Sequence, residues 1–281
     1  MLELRNVKKK YKDFELDCSM RVPAGTVVGL IGANGAGKST AFKSILNLIH
    51  KDSGEITLFG KDASSLTTKE REKLGVVLAD SGVSGYLTVK DVIAIFQNLY
   101  SEFDKEGFLK GCEQFRIPMD KKIKEFSTGM KRKLQVLLAI SHNADLLILD
   151  EPTSGMDVIA REELLDMLRA YMETEDRAIL ISSHISSDLE GICDELYMID
   201  QGKIILHEET DVLLDEYGMM KVTQEQYRDL DKRHILRYKK ESYGYSLLTD
   251  KKQYYLENYP QIVMEKGNID ELITMMIRGN E

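Results

Sequence analysis

The stretch that decides the fold runs from Phe126 to Asp157. It reads F-S-T-G-M-K-R-K-L over Phe126–Leu134 and L-L-I-L-D-E-P-T-S-G-M-D over Leu146–Asp157. The first part opens with a Ser-x-Gly turn, Ser127-Thr128-Gly129, at the start of a helix. The second is an apolar run of strand length that ends in two adjacent carboxylates, Asp150 and Glu151. A carboxylate delivered at the end of a buried strand suits a group that must reach Mg²⁺ beside phosphates. The glutamate that follows suits orientation or deprotonation of an attacking water. Such a strand end taken alone is as compatible with a structural role, so the rest of the chain has to supply the phosphates.

They are supplied upstream, where Gly32-Ala33-Asn34-Gly35-Ala36-Gly37-Lys38-Ser39-Thr40 fits G-x-x-x-x-G-K-[ST]. The glycines let the backbone curl so that its N–H groups converge on phosphate oxygens, and the helix that begins near Lys38 adds its positive end. Lys38 brings a formal charge to those phosphates, and the Ser39 hydroxyl is a Mg²⁺ ligand. The run Thr26–Ile31 before the loop reads as a buried strand and Ser39–Ile49 as the following helix, which is the context the motif requires.

Short alternating stretches from Leu2 onward predict antiparallel strands, with further strands at Glu55–Phe59, Leu74–Leu78, Leu146–Leu149 and Ile179–Ser182. A hairpin is expected at Glu195–Ile199 and Lys203–Leu206, turning at Asp200-Gln201-Gly202. Between Asp80 and Lys124 the character changes to amphipathic helices such as Val89–Tyr100, an insertion into the α/β core. After Gly218 it changes again. Seven of the thirteen tyrosines fall in 219–281, which predicts a small appended α/β module ending in a helix over Ile269–Ile277.

With these motifs in place the chain resembles the nucleotide-binding subunits of ATP-binding cassette (ABC) transporters from Leu2 to about Gly218. The resemblance implies an α/β fold: a P-loop NTPase (RecA-like) core with an antiparallel β subdomain and a helical subdomain at about 80–145. The domain division expected is 1–218 for the nucleotide-binding domain and 219–281 for a C-terminal accessory module. ATP and Mg²⁺ are the implied ligands, with Gly32, Asn34, Gly35, Ala36, Gly37, Lys38, Ser39 and Thr40 around the phosphates. Ser39 and Asp150 would hold the metal, and Lys38, Glu151 and His184 would carry the hydrolysis. His184 stands at a strand end where the family has a switch histidine that senses the γ-phosphate. Ser127 and Gly129 would be the signature turn, whose hydroxyl and N–H groups cap the ATP of the opposite protomer. Asp157, in Ser154-Gly155-Met156-Asp157, would belong to the D-loop that links the two sites.

Tyr11 sits where the family places an aromatic that stacks on adenine, although a tyrosine after Lys8-Lys9-Lys10 also fits an ordinary surface position. Two departures stand out. Thr128 and Met130 replace the usual Gly and Gln of the signature but keep its hydroxyl and turn. Ala79 replaces the family's loop glutamine, so that either water or Asp80 fills that place or the metal shell is one ligand poorer.

Single cassettes of this kind assemble with a separately encoded integral membrane permease, as a homodimer or as a heterodimer with a second ABC ATPase subunit. The location implied is cytoplasmic, on the inner face of the cell membrane through the permease, with the insertion carrying the groove that receives the permease's helix. Leu87–Asp91 and Gly267–Leu272 resemble the exporter branch that handles bacteriocins, peptide antibiotics or lipophilic drugs.

Composition agrees with this class. No apolar run approaches the roughly 20 residues that span a bilayer, and Met1–Arg5 lacks the pattern of a secretory leader. Cys18, Cys112 and Cys193 have neither metal-ligand nor disulfide spacing and read as thiols of a reducing compartment. A net charge of −9 argues against nucleic acid as a partner. The runs Lys8–Lys10 and Lys131–Lys133 are too short to change that and read as solvated faces. A soluble ABC-type ATPase of translation or DNA repair would share the site, but usually carries two cassettes or a long coiled coil. A P-loop GTPase or kinase would share only Gly32–Thr40, and the chain has no Asn-Lys-x-Asp sequence.

Overall fold

In the computed structural model, which describes residues 1–265 and 268–280, the apolar runs become strands buried on both faces. Among the described residues one mixed sheet contains β1 (Leu2–Lys10), β2 (Glu15–Val22), β3 (Val27–Ile31), β4 (Ser53–Leu58), β5 (Lys61–Asp62), β6 (Leu74–Val77), β7 (Leu146–Asp150), β8 (Ala178–Ser183), β9 (Glu195–Asp200) and β10 (Lys203–Glu209). Their order is β5-β4-β1-β2-β10-β9-β3-β8-β7-β6. The stretch β9-β3-β8-β7-β6 is parallel throughout, and β1, β2, β4 and β5 form an antiparallel wing.

Alternate residues of the parallel strands feed two different cores, which is why their sequences show no polar alternation. Val27, Ile31, Leu147, Leu149, Ile179 and Ile181 pack on one side with the helical insertion. Val28, Leu30, Leu146, Ile148, Ala178 and Leu180 pack on the other with the antiparallel wing and the helix α1 (Lys38–Ile45).

The expected helix Ser39–Ile49 is shorter than its pattern. It stops at Ile45 because Asn47 enters the left-handed region at φ 54° and Leu48 N–H turns back to the Lys43 carbonyl at 2.8 Å. After the short α2 (Thr68–Arg71), the insertion holds α3 (Val89–Leu99), α4 (Lys105–Gln114) and α5 (Thr128–Ile140). Thr88 and Asp91 close a capping box that starts α3. The run Lys131–Lys133 is not a solvated face. Lys133 is 7% exposed, paired with Glu163 of α6 (Val158–Met172) and lying over the Phe115 ring. The β9–β10 hairpin turns at Gln201 and Gly202, both at positive φ, as a two-residue turn of this twist requires.

Beyond α7 (Ser186–Glu190) and α8 (Thr210–Asp215), the chain runs β11 (Gly218–Val222), α9 (Gln224–Asp229), β12 (Ile235–Glu241), β13 (Gly244–Thr249), α10 (Lys252–Asn258), β14 (Val263–Glu265) and α11 (Ile269–Arg278). The strands form an antiparallel sheet ordered β12-β13-β11-β14, so this segment is a βαββαβ unit of ferredoxin-like topology with one further helix. It has a small core of its own around Met220, Leu247 and Tyr255. It also contributes Met219, Leu248, Ile269, Leu272 and Met275 to the core beneath the parallel sheet. Of the segment Gly267–Leu272 singled out in the sequence, Gly267 lies outside the described residues.

Candidate active site

The parallel strands end on one edge of the sheet, and the residues expected to bind and cleave nucleotide meet there. β3 runs between β8 and β9 and releases the chain into the loop 32–37. A Cβ at Gly32 would come within 2.4 Å of the Ile199 carbonyl, so only glycine lets the loop lie against the end of β9. Ala36 is buried beside it and accepts from Gly202 N–H at 2.8 Å. Gly35 and Gly37 take φ of 83° and 117°, which curls the loop and begins α1. A cavity of about 400 Å³ opens over this curl, bounded by Phe14, Asn34, Gly35, Gly37, Lys38, Ser39, Thr40, Ala79 and Glu151.

Lys38 is buried, and its Nζ donates to the Gly32 carbonyl at 2.6 Å and lies 3.2 Å from Glu151 Oε1. Ser39 Oγ donates to Asp150 Oδ2 at 2.8 Å, and Ser182 Oγ holds the other oxygen, Oδ1, at 2.6 Å. A hydroxyl and a buried carboxylate thus stand together at the start of α1. Two protein oxygens of this kind fit Mg²⁺, which keeps several waters and takes its other ligands from substrate phosphates.

Glu151 is a non-glycine residue at φ 52°, a conformation that costs roughly 1–3 kcal/mol. Ser182 Oγ accepts its N–H at 3.0 Å and keeps the chain in that turn, which aims two successive carboxylates at the loop. Its Oε2 lies 2.5 Å from His184 Nδ1, while Oε1 pairs with Lys38 without a hydrogen-bond alignment. Glu151 therefore bridges Lys38 and the histidine at the end of β8.

Other expected residues stand elsewhere. Ser127 caps α5, accepting from Met130 N–H at 3.2 Å, and with Gly129 lies outside the boundary of the cavity. Asp157 caps α6 through Ala160 N–H at 2.9 Å, next to the exposed Val158 and Ile159. Gly129 faces Ala160 and Met156, and Gly155 faces Thr128, so the two helix starts form one surface. Tyr11 is exposed, with its ring 6.3 Å from that of Phe14. Phe14, not singled out in the sequence, is the aromatic that borders the cavity. Its signal was there to read: Phe14 has the same parity as the buried Leu16, Cys18, Met20 and Val22 of β2. Asp80 pairs with Lys43 at 3.0 Å and does not border the cavity, whereas Ala79 does.

The chain as a whole is similar to known proteins. The ABC transporter family model matches residues 16–154. Over 215 residues the chain is 34% identical to the lantibiotic transport ATP-binding protein SrtF of Streptococcus pyogenes, spanning 75% of this chain and 92% of that protein. The chain belongs to the ABC transporter family. It is also 34% identical over 211 residues to the Nod factor export ATP-binding protein I of Burkholderia lata, covering 73% of this chain and 69% of that one. Among solved structures it superposes on an ATP-binding subunit of an ABC transporter with TM-score 0.68 and 26% identity, over 76% of this chain and 92% of the other.

This ABC protein is therefore an ATP-binding subunit and an ATPase, and its resemblance to the exporter branch is borne out by these relatives. ATP-binding subunits of the family dimerise and work with membrane permeases. No helix among the described residues of this one is long and apolar enough to cross a membrane.

Proposed function

We propose that this subunit drives an exporter of peptides, antibiotics or lipophilic compounds, by closing two nucleotide sites between two protomers and reopening them on hydrolysis. The cargo class is taken from the relatives named for lantibiotic transport and Nod factor export. In each site the loop amides, Lys38 and Ser39 of one chain bind the phosphates, Tyr11 and Phe14 flank the base, and Ser39 with Asp150 hold Mg²⁺. The metal neutralises phosphate charge when bound. Glu151 orients or deprotonates the attacking water, and His184 keeps its carboxylate in place. Ser127 and Gly129 of the other protomer complete the site, with Asp157 beside them.

The observation that carries this reading is the exposed, hydroxyl-capped start of α5, outside the cavity that Lys38 and Ser39 border. A second protomer can bring that helix end to the phosphates, and the exposed Val158 and Ile159 supply apolar surface for the contact. Closure then depends on nucleotide, and the differential affinity of ATP for the closed state is available to move a partner. That partner is a separately encoded permease, which holds the subunit at the inner face of the membrane. A groove of about 500 Å³ beside α3 and β6, lined by Leu48, Val76, Phe96 and Tyr100, supports docking of its cytoplasmic helix. Residues 219–281 are an accessory module of the cassette, and the acidic chain does not bind nucleic acid. The second cassette is an identical or a closely related subunit.

Glu151→Gln tests the composite site. The variant should form an ATP-dependent dimer by light scattering and lose turnover by about 10²–10⁴-fold. A monomer at saturating ATP would show that the helix start at Ser127 does not serve a neighbouring site.

A further inference from the structure

The loop 78–83 after β6 touches both functional cavities. Ala79 borders the nucleotide cavity, and Leu78, Ser81, Gly82 and Val83 line the groove beside α3. Two helices hold this loop from opposite sides. On the α1 side Lys43 Nζ pairs with Asp80 at 3.0 Å, an exposed contact of the kind solvent screens.

On the α5 side the contacts are also at the surface, but they are hydrogen bonds to the loop's own backbone. Arg132 Nη2 donates to the Ala79 carbonyl at 3.3 Å, and Gln135 Nε2 donates to the Ser81 carbonyl at 2.7 Å. Arg132 Nη1 donates to Gln135 Oε1 at 3.1 Å, so the two side chains form one bracket. A Cβ at Gly82 would lie 2.4 Å from Gln135 Nε2, so a side chain there would displace the amide from this position. Arg132 lies little more than one helical turn beyond Ser127 on the same rigid helix. The bracket thus joins the helix end that serves the neighbouring nucleotide to the loop that borders this chain's own.

We propose that Arg132 and Gln135 are positioning residues that make the loop 78–83 move with α5, so that closure of the dimer on ATP is felt in the groove. The inference rests on the nucleotide site and composite dimer described above. It needs no side chain at position 79, because the bracket grips carbonyls. That makes it compatible with Ala79, which has no polar group to offer.

The chain has no tryptophan, so a Tyr86→Trp substitution in the exposed continuation of the loop gives a single reporter. Full-length protein carrying it is titrated with ATP and Mg²⁺ while emission is followed, and bound radiolabelled ATP is measured by equilibrium dialysis on the same samples. ATP should change the emission. Adding Gln135→Glu, which keeps the shape and the acceptor for Arg132 but loses the donor to Ser81, should reduce that change at least fivefold. Arg132→Ala should do the same, with ATP affinity in both held within twofold. An undiminished emission change in both variants overturns the proposal. So does a parent that binds ATP without any change in emission, and so does loss of ATP binding in both variants. A parent that fails to bind ATP removes the nucleotide-site reading itself, and the inference with it.

Discussion

The parallel half of the large sheet and the small C-terminal sheet are built from similar strand lengths, yet only one gathers chemistry. β3, β6, β7 and β8 all run the same way, so their ends deliver Gly32, Ala79, Asp150 with Glu151, and His184 to one edge. That is the place where open α/β sheets bind ligands. In the antiparallel sheet neighbouring strands end on opposite edges, and the space between elements is filled with rings. Tyr227 stacks on Tyr245 at 4.0 Å, and Tyr254 meets Tyr255 edge-on at 5.2 Å. Parallel pairing concentrates strand ends on one edge, and antiparallel pairing divides them between two.

The two regions nevertheless share a core. α11 packs against α7, Glu190 Oε1 accepts the Ile269 N–H at 3.2 Å, and Leu272 is buried in one cluster with Leu189 and Cys193. The sequence provides one probe of the cassette and one of the whole chain: all three cysteines lie in the cassette, and the thirteen tyrosines, with no tryptophan to mask them, divide between six in 1–218 and seven in 219–281. The thiols are buried and desolvation pushes Cys18 and Cys112 up to about 12 and Cys193 well above its ordinary value. None should react with a thiol reagent until the fold opens.

The largest effect is expected from Leu272→Ala, at about 2–5 kcal/mol. Urea unfolding followed by thiol labelling and by tyrosine fluorescence should shift together, because one cluster spans both regions. A tyrosine transition that splits, with one step moved and the other staying with the thiol transition, would make the module an independent unit.

How legible each region is in sequence follows from the same contrast. Strands buried on two faces give uninterrupted apolar runs, so β3, β7 and β8 and the motifs at their ends stand out. The half-buried β12 shows no clean alternation, and neither it nor the βαββαβ order could be read. Contacts distant in sequence were equally hidden. Nothing near Lys133 announces Glu163, thirty residues on, and nothing near Arg132 and Gln135 announces the carbonyls of Ala79 and Ser81. The end of α1 was missed because Asn47 acts through its backbone conformation alone.

A smaller effect should follow from acid. His142 is buried at the end of α5, with its ring 4.1 Å from that of Tyr100 and its nitrogens 3.1 Å from the carbonyls of Leu138 and Leu74. Desolvation holds its pKa below the ordinary value, outweighing the two carbonyls and Glu72 that favour the imidazolium. The folded state therefore binds fewer protons than the unfolded one. The stability this contributes is present above the unfolded pKa, about 6.5, and is lost as pH falls through the lower folded pKa. His142→Gln should flatten the fall in urea midpoint in that window. If the two regions unfold as one, the thiol and tyrosine midpoints of the parent will fall together with pH. A tyrosine transition that splits, with only one step following the thiol midpoint, would separate them.

The smallest effect expected concerns two aromatics on one edge of the cassette. Tyr11 was the ring suggested by its place in the sequence, but Phe14 borders the cavity, with its Cζ 3.0 Å from where a Cβ on Gly37 would stand. Stacking of a flat ring is worth roughly 0.5–1.5 kcal/mol, a change of about two- to twelvefold in an equilibrium constant. If Phe14 is the ring nearer the base, Phe14→Ala should raise the KM for ATP by an amount in that range, and Tyr11→Ala should raise it less. Neither ring is among the partners of Glu151, which are Lys38, Ser182 and His184, so kcat should change little in either variant. The reverse order of KM effects would mean that Tyr11, 44% exposed and 5.6 Å from Lys9 Nζ, is drawn over the nucleotide when it binds. The aromatic edge would then be a moving part, unlike the fixed strand ends beside it.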